Sequence, residues 1–221
     1  MSKQFLGVLV AIILVFVGIV ALTGKDSGSK SSDGKANAPA LSQNIQGAGT
    51  AGVTIVEYGD FQCPYCQQYA PTVAQVKAIY GDKIKFQFRN FPLVNIHQNA
   101  FAAARAAQAA ALQGKFWEMH DALYQASDWQ TWTKASDPTP YFKEYAKGLG
   151  LNTTQFASDF ASSKVNDTIN ADTAEATKLE VTGTPAFFVN GKKTEITNSV
   201  ESFQKIIDAA IKSKSSSTSQ N

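Results

Sequence analysis

The stretch Val53-Thr54-Ile55-Val56-Glu57-Tyr58-Gly59-Asp60-Phe61-Gln62-Cys63-Pro64-Tyr65-Cys66 decides the fold. Its first six residues are rich in β-branched and aromatic side chains and lie between Gly52 and Gly59, so they read as a buried strand. A short turn leads to Cys63. Pro64 follows where a first helical turn tolerates proline, because the N–H it lacks would have had no intrahelical partner. The predicted helix runs to about Tyr80, with Val73, Val76 and Ile79 at helical spacing and Gly81 at its end. Ile84-Lys85-Phe86-Gln87-Phe88-Arg89 then alternates apolar and polar residues as a second strand, closed by Pro92. Strand, helix and strand form a βαβ unit with parallel strands.

Downstream, residues from about 96 to 181 carry no convincing strand. Asn99 to Leu112 is an alanine-rich helix, and Phe116, Met119, His120 and Leu123 mark one face of another. Further helical patterns cover 139–148, 153–162 and 165–180, so this block reads as a helical insert. Strand returns at Ala186-Phe187-Phe188-Val189, and Asn190-Gly191 signals a two-residue hairpin with 193–196 pairing back. Residues 199–212 read as a closing amphipathic helix with Val200, Phe203, Ile206, Ile207 and Ala210 on one face and Ser199 or Asn198 as cap. The polar tail, 214–221, is expected to be disordered, and no internal repeat is visible.

Upstream, Phe5 to Leu22 is an unbroken uncharged run after Lys3 and before Lys25 and Asp26. As a helix it spans about 27 Å, close to a hydrocarbon core of about 30 Å. An uncleaved transmembrane anchor and a cleaved signal peptide both fit. The length of the run and the poor cleavage site Ala21-Leu22-Thr23 favour the anchor. Either way the rest of the chain is exported, an orientation weakly supported by Lys3. Residues 23–49, rich in Ser, Gly, Lys and Ala, read as a flexible linker. The expected layout is thus anchor 1–22, linker 23–49, one domain 50–213 of about 165 residues, large enough to bury its own core, and tail 214–221. The net charge is +2 with no basic, aromatic-interleaved patch, which argues against nucleic acid as a partner.

The chain has two cysteines, in a C-x-x-C pair. A disulfide-stapled scaffold would carry more. A structural zinc site needs four ligands, and neither His97 nor His120 falls at finger-like spacing. Cys63 opens a helix, where orphan N–H groups and the helix dipole favour an anion; its thiol pKa should drop from about 8.5 into the range of about 3.5–7.5. A stable thiolate is both nucleophile and leaving group. Cys66 lies one turn inward, within reach of a disulfide. Cys63 is therefore assigned as the exposed attacking sulfur and Cys66 as the buried resolving one. An inert staple is the competing reading, but so short a loop constrains the unfolded chain little. Glu57 is an acid in an apolar strand six residues before Cys63. Buried beneath the disulfide it would have a raised pKa and accept the Cys66 proton; at a strand edge it would face water. His97 and His120 read as structural. Thr184-Pro185 by itself reads as trans, since only about 5–6 % of X–Pro bonds are cis.

Strand, C-P-x-C helix start, second strand, helical block and Gly183-Thr184-Pro185-Ala186-Phe187-Phe188-Val189-Asn190-Gly191 together resemble the thioredoxin superfamily. The insert before Thr184-Pro185 is similar to the DsbA-like branch. So are Tyr58 to Cys66, Ala103-Ala104-Arg105-Ala106-Ala107 and Gly114-Lys115-Phe116-Trp117-Glu118-Met119-His120. The resemblance covers roughly 53–212. It implies an α/β, thioredoxin-like fold with a central mixed sheet and an all-helical insertion domain, here preceded by the transmembrane helix. It further implies that Thr184–Pro185 is cis and faces the cysteines, that the Thr184 main chain pairs with an extended substrate, and that Glu57 is the buried acid. Tyr65 replaces a histidine that stabilises the thiolate in the best-known DsbA, so extreme oxidising power is not implied. Cys-Pro-Tyr-Cys also occurs in glutaredoxins and does not set direction.

The function expected is a dithiol oxidase, single-pass in the cell membrane with its catalytic domain outside the cytoplasm. It would pass the Cys63–Cys66 disulfide to exported cysteine-containing proteins and be reoxidised by a membrane quinone-linked thiol oxidase. A monomer is expected, with no cofactor beyond the redox disulfide and no metal. An isomerase or reductase is the main alternative, but isomerases of this superfamily are generally dimers with an added dimerisation domain for which 23–49 leaves no room. A redox-inert chaperone or binding module, and metal binding by C-x-x-C with a second chain, are the others.

Overall fold

The computed structural model describes residues 39–218. The expected anchor and residues 23–38 of the expected linker lie outside them. Among the described residues no helix is long and apolar enough to cross a membrane.

Five strands, β1 (Asn44–Gln46), β2 (Val53–Gly59), β3 (Ile84–Asn90), β4 (Ala186–Val189) and β5 (Lys192–Lys193), form one sheet in the order β1-β3-β2-β4-β5. The β2–β3 pair is parallel, with Ile55 opposite Phe86 and Glu57 opposite Phe88; the other pairs are antiparallel. The sheet is mixed, as expected. The crossover between β2 and β3 is helix α1 (Pro64–Tyr80) with a 3-10 turn at Gly81–Lys83.

Side chains alternate across the sheet. One face presents Val53, Ile55, Ile84, Phe86, Phe187 and Val189 to Val73, Val76 and Tyr80 of α1 and to Phe203 and Ile207 of the C-terminal helix. Ile79 is half exposed and Tyr80 takes the buried place, because 73, 76 and 80 follow one helical stripe and 79 turns away from it. The opposite face packs Tyr58, Ala186 and Phe188 on Ala176 and Val181.

Between β3 and β4 the chain is helical: α2 (Ala100–Ala111), α3 (Phe116–Tyr124), α4 (Ala126–Trp132), α5 (Thr139–Gly148), α6 (Thr153–Phe160) and α7 (Ser163–Lys178). Helix α2 lies at the centre of this insert, in contact with α3, α5, α6 and α7. Its buried alanines remove side-chain bulk, so these neighbours approach closely. Helix α4 has no strong signal in the sequence. Helix α6 stops at Phe160, and the Ser162 hydroxyl caps α7 through the Val165 N–H at 3.3 Å.

At the hairpin, Asn190 and Gly191 both hold positive φ (49° and 80°), as the tight turn requires. The returning strand is shorter than the expected 193–196. It ends at Lys193, and the chain then turns to bury Ile196. The last helix, α8 (Val200–Thr218), starts on a Ser199 cap (Ser202 N–H to Oγ, 3.2 Å). It extends into the expected tail from 214, where the Ser215 and Ser216 hydroxyls bond back to the Lys212 carbonyl at 2.9 and 3.0 Å.

The expected linker is also shorter than 23–49, since β1 lies inside that range. Composition conceals this strand, because it docks through polar groups. The fully buried Asp172 of α7 accepts from Ser42 N–H (2.9 Å), Asn90 N–H (3.0 Å) and Asn90 Nδ2 (2.8 Å). Arg89 pairs with Asp172 (3.5 Å) and Glu175 (3.2 Å) and donates to the Ser42 carbonyl. Gln87 and Arg89 are thus buried in β3, where simple alternation would put them in water. Removing the acceptor would strand three buried donors and leave the Arg89 charge with Glu175 as its one remaining carboxylate partner. Asp172→Ala is expected to destabilise the fold by about 3 kcal/mol in urea unfolding and to speed proteolysis near residues 39–46. A loss below about 1 kcal/mol would show that the carboxylate does not hold this edge.

Candidate active site

Strand β2 delivers the chain to the site. Gly59 ends it where any side chain would collide with Phe88: an added Cβ would lie 2.4 Å from that ring. The turn Asp60–Gln62 follows, and Cys63 stands at the N-cap of α1 with Pro64 in the first turn. The Asp60 carboxylate accepts from Gln62 N–H at 2.7 Å, closing the turn, and the Asp60 carbonyl accepts from Cys63 N–H at 3.0 Å. Phe61 anchors the turn from below, stacked on Phe88 at 5.0 Å and tilted on Tyr124 at 5.1 Å.

Both cysteines are free thiols. Cys66 is fully buried, and Cys63 is 4 % exposed, less open than an attacking sulfur was expected to be. It is drawn against the loop before β4, where its thiol donates to the Thr184 carbonyl at 3.4 Å. The Thr184–Pro185 peptide is cis, as the resemblance implied. The structure therefore brings Cys63, Cys66 and Thr184 together, from segments 121 residues apart in the case of Cys63 and Thr184.

The two sulfurs sit in opposite electrostatic settings. The Cys63 thiol is held down to about 6, chiefly by a hydrogen bond from the Cys66 thiol; burial opposes this, and the Thr184 hydroxyl and the Cys66 and Tyr65 backbone N–H groups add to it. The two N–H groups are unpaired donors of the first helical turn. Burial pushes the Cys66 thiol well above its ordinary value, reinforced by donation to Cys63 and by the nearby charges of Cys63 and Glu57. Glu57 is 3 % exposed on the inward face of β2, not at a water-facing edge. Burial raises its carboxyl to about 8; the Lys77 ammonium opposes this and Cys63 adds to it. Lys77 itself lies 3.8 Å over the Trp117 ring, its pKa lowered by burial.

His120 is a buried ring touching Phe61, Phe88, Phe116, Trp117 and Tyr124, with Nδ1 2.8 Å from Asp121; burial lowers its pKa. His97 contacts Asp60 at 2.7 Å. Sequence reasoning passed over Asp60, Gln62, Tyr124 and Lys77. Asp60 two residues before Gln62 is a legible turn signal, but its partners are remote in the chain. Among the described residues, no three or more His, Cys, Asp or Glu side chains converge into a metal-binding group.

Two titrations follow. Thiolate absorbance should show one sulfur ionising near pH 6, and Cys66→Ala should raise that value by removing the main donor. A Cys63 that titrates like free cysteine would contradict the arrangement. The Glu57 carboxyl is raised from 4.5 to about 8 in the folded state. Its favourable contribution is therefore complete below the unfolded value and is lost as pH rises towards 8. Stability of the wild type should fall relative to Glu57→Gln across that window in chemical denaturation; parallel curves would place the carboxyl in water.

The family model described as Thioredoxin matches residues 40–209. A thioredoxin-like oxidoreductase from Silicibacter pomeroyi DSS-3 is similar in structure, with 28 % identity, a TM-score of 0.63, and 76 % of this chain and 91 % of that one covered. Alpha-DsbA1 from Wolbachia pipientis (23 % identity, TM-score 0.68, 79 % and 94 % covered) and oxidised BdbD from Bacillus subtilis (23 %, 0.65, 77 % and 93 %) share the fold. Among curated proteins, Na(+)/H(+) antiporter NhaA 1 from Mycolicibacterium gilvum is 39 % identical over 152 residues, 68 % of this chain and 24 % of that protein. The chain thus spans about a quarter of the length of such relatives, and antiport is the name of those longer proteins. With the C-P-x-C helix start, the facing Thr184–Pro185 and the matched family model, the chain belongs to the thioredoxin family and has the fold of its DsbA-like thiol–disulfide oxidoreductases.

Proposed function

We propose that the protein is an exported thiol–disulfide oxidoreductase working as a dithiol oxidase, with Cys63 the attacked sulfur and Cys66 its buried partner. The observation that carries this reading is the opposed ionisation of the two thiols, Cys63 held near 6 and Cys66 pushed well up. In the forward step a client thiolate attacks the Cys63 sulfur of the disulfide. The Cys63–Cys66 bond breaks, and Cys66 takes the electron pair and a proton from the Glu57 carboxyl. A second client thiolate then attacks the client sulfur and expels Cys63 as a thiolate, a stable leaving group. The client is oxidised by two electrons and the dithiol reduced. Reoxidation is assigned to a membrane quinone-linked thiol oxidase, and no cofactor beyond the disulfide is needed.

Thr184, whose carbonyl already faces Cys63, would pair its main chain with an extended client as an added strand. Export through the apolar run 5–22, retained as an anchor, would place the site where disulfides persist.

Cys66→Ala in the native host should leave Cys63 in mixed disulfides with exported cysteine-containing proteins. The wild-type reduction potential should lie nearer about −120 mV than about −270 mV, the oxidising and reducing extremes of this superfamily. No captured client, or a potential at the reducing end, would defeat the oxidase reading.

A further inference from the structure

We propose that Asp60 is a positioning residue for the dithiol and that His97 is the group that holds it in place. This rests on Cys63 and Cys66 being the working redox centre. The Asp60 side chain is buried, and each carboxylate oxygen is engaged. Oδ1 accepts from Gln62 N–H at 2.7 Å; Oδ2 accepts from Leu93 N–H at 2.9 Å and contacts His97 Nδ1 at 2.7 Å. A carboxylate only accepts, so His97 carries its proton on Nδ1. The main chain of the same residue reaches both cysteines. Its carbonyl accepts from Cys63 N–H at 3.0 Å and from the Tyr124 hydroxyl at 3.1 Å, and its N–H donates to the Cys66 sulfur. One residue therefore links the loop after β3 to the two reacting sulfurs.

The rest of the turn is secured independently. Trp129 Nε1 donates to the Phe61 carbonyl at 2.8 Å, Gln62 Nε2 to the Thr133 carbonyl at 2.9 Å, and Asn99 N–H to Gln62 Oε1 at 2.6 Å. Loss of His97 alone thus leaves the turn tied to the insert. It removes one donor from a buried carboxylate whose own main chain contacts both cysteines. The anion is then less compensated and the Asp60 backbone less fixed. Both changes disfavour the Cys63 thiolate, and so the reduced state.

The test compares the full-length wild type with His97→Ala, His97→Gln and His97→Asn. An asparagine amide nitrogen falls near the position of Nδ1, whereas a glutamine amide falls near that of Nε2. Two quantities are read: the Cys63 ionisation by thiolate absorbance and the dithiol–disulfide equilibrium with glutathione. His97→Ala and His97→Gln should raise the Cys63 pKa and shift the equilibrium roughly three- to tenfold towards the disulfide, equivalent to about half to one pKa unit. His97→Asn should stay close to wild type. If His97→Ala does not fold, His97→Gln, which keeps the bulk, decides alone. Lowered thermal stability with both redox quantities unmoved, or no rescue by His97→Asn, overturns the proposal while leaving the oxidoreductase reading intact. A wild type unable to form its own disulfide overturns both.

Discussion

The molecule depends on an unequal sharing of hydrogen bonds between two sulfurs. Cys63 receives donors from the Cys66 thiol and the Tyr65 and Cys66 backbone, while Cys66 is buried, keeps its proton and donates it in a hydrogen bond to its neighbour. An anion is therefore favoured on one sulfur and disfavoured on the other, although they lie within one helical turn. That asymmetry exists only because β2 is inside the sheet, so the helix it feeds begins at the edge of the core. A strand at the sheet's rim would leave both thiols in water, and neither would be displaced far from ordinary cysteine.

The insert contributes to the chemistry by fixing the turn that carries Cys63. Phe61 and Gln62 are tied to the insert and its lead-in by Trp129, Asn99 and Thr133, and Asp60 to the loop after β3. A thioredoxin core alone would have to hold this turn by local bonds. Here backbone and side-chain partners lie 33 to 71 residues downstream, which makes the geometry of the site a property of the whole domain.

Two buried acids show how partners decide the role of a carboxyl. Asp172 is surrounded by donors and paired with Arg89, so it serves as a structural anchor for the first strand. Glu57 is opposed mainly by burial, with Lys77 the charge that counters it. Burial raises both carboxyls, but at Asp172 hydrogen bonds from Asn90 and Ser42 counter it, whereas Glu57 has the Lys77 charge against it and still reaches about 8. The second kind is useful beneath a thiol that must gain and lose a proton.

Local pattern was enough for the βαβ unit, the C-P-x-C helix start, the helical block and the Asn190-Gly191 turn, because each is encoded by periodicity or turn chemistry among neighbours; it left Glu57 open between burial and a water-facing edge, and the resemblance pointed to burial. The meeting of Thr184–Pro185 with the cysteines came from resemblance, since no local rule brings residues so distant together. Strand β1 was invisible because its docking uses Ser42, Arg89 and Asp172 in place of apolar side chains, and hydrophobic pattern does not register polar docking. The near-closure of Cys63, the charge of Lys77 near Glu57 and the Asp60–His97 contact were settled by tertiary packing alone. They are distance and burial effects between remote segments, and a linear sequence states which groups exist without stating which of them share a dielectric environment.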